Sequence, residues 1–189
     1  VVAFAMETQP VGPTGKPGAG AAALPVRDTP RLLHVLPITQ SVCSLFRVEI
    51  CLEIGSGSGV VSTFLASSIL GPSALYICTD INPMAAYCTQ ETALLNNVHL
   101  EPVITDLVKS HGIEASWAGG KQGREVMDRV FPLVPDLLSP GGLFYLVTIK
   151  ENNPDEILET MKKSGLKGTQ VLSRQAGQEM LTILRFTKS

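Results

Sequence analysis

The residues best suited to chemistry are three glycines and three acidic side chains, each placed where a strand should end. The run Leu52-Glu53-Ile54-Gly55-Ser56-Gly57-Ser58-Gly59 sets a carboxylate ahead of a glycine-rich turn. Glycines there let a ligand touch the backbone, so the turn reads as a nucleotide-type cradle. A dinucleotide site favours GxGxxG, with its third glycine at the position that Val60 fills. The GxGxG spacing points instead to S-adenosylmethionine, which has no pyrophosphate to hold, with Gly55, Ser56, Gly57 and Gly59 lining it. A tight turn with no ligand is the competing reading.

Asp80 closes the next apolar run at about 20 residues after Gly59, the spacing that brings a carboxylate onto ribose hydroxyls. It could equally cap a helix, but Asn82 already stands at the cap position. Asp80 and its neighbour Ile81 therefore join the candidate cofactor contacts. Asp106 ends the third run and could accept a hydrogen bond from an adenine amino group, or merely cap a turn. Glu53 either reaches the cofactor's ammonium end or orders the glycine loop. Among the scattered residues, Trp117 reads equally as a substrate-mouth residue or as packing, and His111 as a loop histidine. Lys162, Lys163 and Lys167 read as the solvated side of a helix and its exit.

Positioning these groups requires strands alternating with helices. Glu49–Ile54, Leu75–Thr79, Leu100–Thr105 and Leu143–Ile149 are short apolar runs expected to be buried strands. Helices are expected over Val60–Leu70, from Asn82-Pro83 to Leu95, over Arg124–Leu138 with breaks at Pro132 and Pro135, and over Pro154–Ser164. Gln170–Arg174 and Met180–Phe186 read as an antiparallel pair at the C-terminal edge. The fold class is α/β, a parallel sheet flanked by helices. Asn82 caps free N–H groups, Pro83 loses nothing at a first turn, and Asn96-Asn97 tolerate a left-handed exit. Residues 1–48 form a separate, poorly ordered segment in this reading, because the stretch from Met6 to Pro30 is mostly Ala, Gly and Pro. The binding domain is then 49–189.

Composition narrows the function classes. The chain has 189 residues, 44% of them apolar, and a net charge of −2. Without a basic excess, electrostatic gripping of nucleic acid is disfavoured. No run is long and apolar enough to read as a membrane span. Cys43, Cys51, Cys78 and Cys88 lack CxxC pairing and read as buried free thiols in a reducing compartment, and His34, His99 and His111 are too scattered for a zinc site. The chain opens on Val1-Val2 with no basic flank, and is expected to be soluble and intracellular, in the cytoplasm and also the nucleus.

Together, LEIGSGSG, LYICTDINP and PVITDLV resemble the HemK/PrmC-type class I methyltransferases, especially their eukaryotic branch, and Trp117-Ala118-Gly119-Gly120, Arg124–Arg129 and the C-terminal half resemble it too. The likeness runs over nearly all of 48–189. It implies a Rossmann-like sheet with an antiparallel C-terminal strand and S-adenosylmethionine as cofactor. The implied activity is methylation of the glutamine N5 in a Gly-Gly-Gln tip of a class-1 translation release factor. The implied partner is a small zinc-binding activator protein in a heterodimer. Cofactor contacts carried over fall on Glu53, Gly55, Asp80, Asp106 and the backbone at Leu107; no metal ligand is implied.

The chain departs from that pattern twice. The family's Asn-Pro-Pro-Tyr loop is absent, since Asp106-Leu107-Val108-Lys109 runs directly into Ser110-His111-Gly112-Ile113. Roughly thirty residues are missing, about one strand-helix unit. That loop would hold and aim the amide nitrogen, so no catalytic residue is assigned and transfer is expected to be slow or lost. The missing fourth strand would lie between the first and fifth, and its loss predicts that the Leu143 strand pairs directly with Glu49–Ile54 or that the domain is marginally stable. At the N-terminus only Asp28-Thr29 and Leu32-Leu33 resemble the family's closing segment, with Thr29 a candidate cofactor contact or a plain loop residue. The remaining readings are a non-catalytic binding protein and, last, a nucleic-acid adenine N6-methyltransferase.

Overall fold

In the computed structural model the described residues are 3–10, 46–106 and 124–189. Leu107, His111, Trp117, Thr29, His34 and Cys43 lie outside them, as does most of the 1–48 segment. The strands are β1 (Ala3–Pro10), β2 (Phe46–Ile54), β3 (Leu75–Asp80), β4 (Glu101–Ile104), β5 (Leu143–Ile149), β6 (Leu166–Ala176) and β7 (Glu179–Lys188), and they form one sheet in the order β4-β3-β2-β1-β5-β7-β6.

β2, β3 and β4 are parallel, and their crossovers are α1 (Val60–Phe64) and α2 (Pro83–Leu95). α1 is shorter than the expected helix because the chain widens into a π turn at Leu65–Ile69, closed by the Leu70 N–H donating to the Leu65 carbonyl at 2.8 Å. α2 starts as its sequence predicts. The Asn82 side chain accepts the Met84 N–H at 3.0 Å, Pro83 fills the first helical position, and Asn97 takes the left-handed exit with φ 54°.

The expected Arg124–Leu138 helix is divided at its prolines. α3 (Glu125–Val130) passes through a 3-10 turn at Phe131–Leu133 into α4 (Val134–Leu137). After β5, α5 (Pro154–Lys163) leads into the β6–β7 hairpin, whose strands are longer than the sequence indicated.

Both faces of the sheet are covered, which explains why Leu143–Leu146 is buried without alternation. Ile54, Phe144, Leu146, Leu184 and Phe186 face α3, α4 and α5, with Phe131 and Ile157 among the helix residues they meet. Cys51, Tyr76, Cys78, Leu143 and Tyr145 face the opposite layer, where Val61, Leu65 and Ala93 pack. Cys51 and Cys78 are buried thiols as expected; Cys88 is not, because it falls on the exposed side of α2.

The expected direct pairing of the Leu143 strand with Glu49–Ile54 does not occur. β1 lies between them, antiparallel to both: Ala3–Met6 pair with Leu146–Leu143 on one side and with Ile54–Cys51 on the other. The open N–H and C=O groups of β2 and β5 are thus bonded to a segment from far upstream. Ala3–Pro10 belongs to the leader that the composition marked as poorly ordered, yet its first half is apolar and free of Gly and Pro.

Candidate functional site

The glycine loop leaves the C-terminal end of β2 and is stitched to the end of β3. The Thr79 carbonyl accepts N–H groups from Gly55 at 2.8 Å and Ser56 at 3.0 Å, while the Thr79 hydroxyl donates to the Glu53 carbonyl at 3.0 Å. A tight turn follows, with the Gly59 N–H donating to the Ser56 carbonyl at 2.8 Å.

Glu53 is fully buried beneath this loop. Its Oε2 accepts two hydrogen bonds from Ser62, from the backbone N–H at 3.2 Å and from the hydroxyl at 2.5 Å. Gly59, the N-cap of α1, has no side chain with which to cap, so Glu53 satisfies a free N–H of the first turn from a neighbouring strand. These two bonds give Glu53 its role in ordering the loop and the helix start. Burial raises its carboxyl from 4.5 to about 7, against the two Ser62 bonds that lower it and with a smaller upward push from Asp80. Its Oε1 is buried with no hydrogen-bond partner among the described residues. In the parallel register Glu53 stands beside Cys78, whose buried thiol is pushed up to about 12.

Asp80 grips the loop from the other side. Its Oδ2 accepts the Gly57 N–H at 3.0 Å and its Oδ1 the Asn82 N–H at 2.9 Å. Each oxygen keeps a lone pair that can accept a hydroxyl. Ile81 follows with 41% of its surface exposed. β4 is tied to the same point, because the Thr105 N–H donates to the Asp80 carbonyl at 2.9 Å, and half-buried Asp106 comes next. The ends of three adjacent parallel strands thereby bring Asp80 and Asp106 to one rim, with Glu53 buried beneath it, at the end of the sheet where open α/β folds bind ligands.

The glycines divide their work. A Cβ at Gly57 would meet nothing within 4 Å, leaving open space above a backbone with φ 55°. A Cβ on Gly59 would lie 2.9 Å from the Thr89 Cα and 2.7 Å from its Cγ2, so the absent side chain there makes room for α2 rather than for a ligand. The Ser56 side chain is buried against the same residue, with its Oγ 3.3 Å from Thr89 Oγ1, and the Thr89 hydroxyl also reaches the Gly57 carbonyl at 3.2 Å. Ser62, Thr79 and Thr89 were not identified from the sequence. The one available signal was the missing cap: a helix that begins on glycine needs an acceptor from elsewhere for its first-turn N–H groups.

The comparisons agree with this geometry. No family model matches the chain. It is 61% identical over 193 residues to the human protein Methyltransferase HEMK2, covering 87% of this chain and 89% of that one. It is 28% identical over 169 residues to the eRF1 methyltransferase catalytic subunit mtq2 of Schizosaccharomyces pombe, covering 70% and 73% of the two chains. Among solved structures, the E. cuniculi Mtq2-Trm112 complex, responsible for methylation of the eRF1 translation termination factor, superposes with a TM-score of 0.58 at 20% identity, over 85% of this chain and 98% of that chain. A Rossmann-like sheet, a carboxylate-bordered GxGxG turn and close identity to HEMK2 over most of both chains lead to one conclusion: this chain belongs to the HEMK2 branch of the HemK-type class I methyltransferases.

Proposed function

We propose that the Gly55–Gly59 loop and Asp80 hold S-adenosylmethionine, and that the chain descends from enzymes that methylate the glutamine of a release-factor Gly-Gly-Gln tip. The observation that carries this is the pairing of Asp80 with Gly57: a ribose-type carboxylate bonded to a loop glycine whose side-chain space stands open. Asp80 would take the ribose hydroxyls, Ile81 and Asp106 would flank the adenine, and Gly55 and Gly57 would let the amino-acid portion lie on the backbone. The cofactor, when bound, supplies an electrophilic methyl group. Glu53 shapes the pocket by fixing the start of α1 through Ser62.

Transfer needs an aimed amide nitrogen, and the sequence lacks the Asn-Pro-Pro-Tyr loop that would aim it. Misplacement of a reacting group costs on the order of hundredfold or more. The chain therefore binds cofactor and methylates slowly or not at all. Incubation with S-adenosylmethionine and a class-1 release factor, read by mass spectrometry of the Gly-Gly-Gln peptide, tests this alongside calorimetric titration of the cofactor. Binding with at most trace methylation is expected; absence of binding refutes the reading.

The relative in a two-protein complex supports a small partner, which we infer to be a zinc-binding activator. The face that fits it is the β4 side of the sheet: among the described residues β4 is the outermost strand, Val103 and Ile104 are 41% and 56% exposed, and Met84 and Tyr87 of α2 are also exposed. An edge strand beside apolar side chains is a template for pairing with another chain. Ile104→Asp should abolish co-elution with the activator while leaving cofactor binding intact, and unchanged co-elution would refute this surface. A nucleic-acid adenine N6-methyltransferase reading is disfavoured by the net charge of −2 and by the same missing loop.

A further inference from the structure

The composition of β1 matches its neighbours residue by residue. Ala3, Phe4, Ala5 and Met6 are all apolar, and in register these four are hydrogen-bonded between strands on both sides. From Glu7 onward the strand turns polar, with Thr8, Gln9 and Pro10, and at that point β5 has ended, because Met6 stands opposite Leu143, the first residue of β5. The polar half pairs with β2 alone. An uninterrupted apolar run is what a central strand with both faces covered requires, and polar residues with a terminal Pro are what a strand end tolerates. The bulge between Glu7 and Thr8 lies at this same transition.

The other end of β1 meets the site. Ala3 stands opposite Ile54 and Leu146, and Phe4 opposite Glu53 and Tyr145. Ile54 is the last residue before Gly55, so β1 is bonded to the very stretch of β2 that delivers Glu53 and the glycine loop. Without it, that stretch would have unpaired backbone groups along one side within a sheet covered on both faces, and such groups are costly.

We propose that the sheet contains a strand-acceptor slot between β2 and β5, specific for an extended segment of four apolar residues followed by polar ones, and that the chain fills it with its own residues 3–10. Filling the slot holds the end of β2 and hence the position of the glycine loop. The proposal does not depend on the cofactor assignment, and its test reads pairing directly.

The register puts Met6 opposite Cys51, so Met6→Cys places two cysteines face to face, whereas Glu7→Cys faces Ile50. Full-length Met6→Cys, oxidised with diamide and mapped by peptide mass spectrometry, is expected to form an intrachain bond between position 6 and Cys51, and Glu7→Cys is not. A bond to Cys43, Cys78 or Cys88 instead, a bond between two chains, or no bond at all would overturn the proposal. As a second measurement, deletion of residues 1–10 should lower the melting temperature by roughly 10 °C, and a peptide of sequence AFAMETQP added in trans should restore it where a scrambled peptide does not. An unchanged melting temperature would overturn the proposal equally.

Discussion

Glu53 Oε2 accepts both the backbone N–H and the hydroxyl of Ser62, at 3.2 and 2.5 Å, and so a buried strand carboxylate serves as the cap of a helix that begins on glycine. This contact joins β2 to α1 across the glycine loop and explains why an acidic residue stands ahead of the glycines. It also makes the loop sensitive to proton uptake.

With its carboxyl raised from 4.5 to about 7, Glu53 binds a proton more tightly in the folded chain than in the unfolded one. The resulting stability is fully present below pH 4.5, declines as pH rises toward 7 and is gone above it, a difference on the order of 3 kcal/mol. The melting temperature should therefore fall between pH 5 and pH 8 in the native chain, and Glu53→Gln should flatten that part of the profile. A parallel fall in Glu53→Gln would show that other groups control it.

Gly57→Ala and Gly59→Ala should separate binding from stability. Both sites have positive φ, which costs a side chain about 1–2 kcal/mol. Only Gly59 adds a collision with the Thr89 backbone, so Gly59→Ala should destabilise the domain by several kcal/mol in total. Gly57→Ala should keep most of the stability and lose cofactor affinity, because its Cβ enters the open space. Thermal melts and titration calorimetry on the pair would check both halves.

Arg124 joins two helices on the far face. It is buried, with its guanidinium 2.8 Å from Asp128 of α3 and 2.9 Å from Glu156 of α5. Burial alone would weaken its proton binding, but the two carboxylates more than offset this and hold the group above its usual value. Arg124→Ala should cost about 1–3 kcal/mol, read in urea melts, since both carboxylates are about half exposed and can return to water.

Thiol reactivity should follow burial. Cys88 is exposed on α2, whereas Cys78 is buried with its thiol pushed up to about 12. Iodoacetamide at pH 8 should modify Cys88 at least tenfold faster than Cys78, and peptide mapping would measure the ratio.

Local chemistry made much of the fold legible. The Asn82-Pro83 start, the Asn96-Asn97 exit, the breaks at Pro132 and Pro135 and the C-terminal hairpin each depend on residues adjacent in the chain. The turn at Gly55–Gly59 and the strand-end acids Asp80 and Asp106 were legible for the same reason. Contacts between distant segments were not. Thr89 reaches Gly57 from another helix and fills the space beside Gly59, and nothing near the glycines announces it. β1 was not legible because its apolar residues belong to a short run, residues 1–6, ahead of a Gly- and Pro-rich stretch whose composition points to poor order. Its role is set by the open edges of β2 and β5, which no local pattern records.

Titration of S-adenosylmethionine into the native chain and into Asp80→Ala tests the central claim most directly. A pocket formed by the glycine loop and Asp80 predicts micromolar binding to the native chain and at least tenfold weaker binding to the variant. Millimolar or undetectable binding to the native chain, or equal affinities for the two, would contradict it.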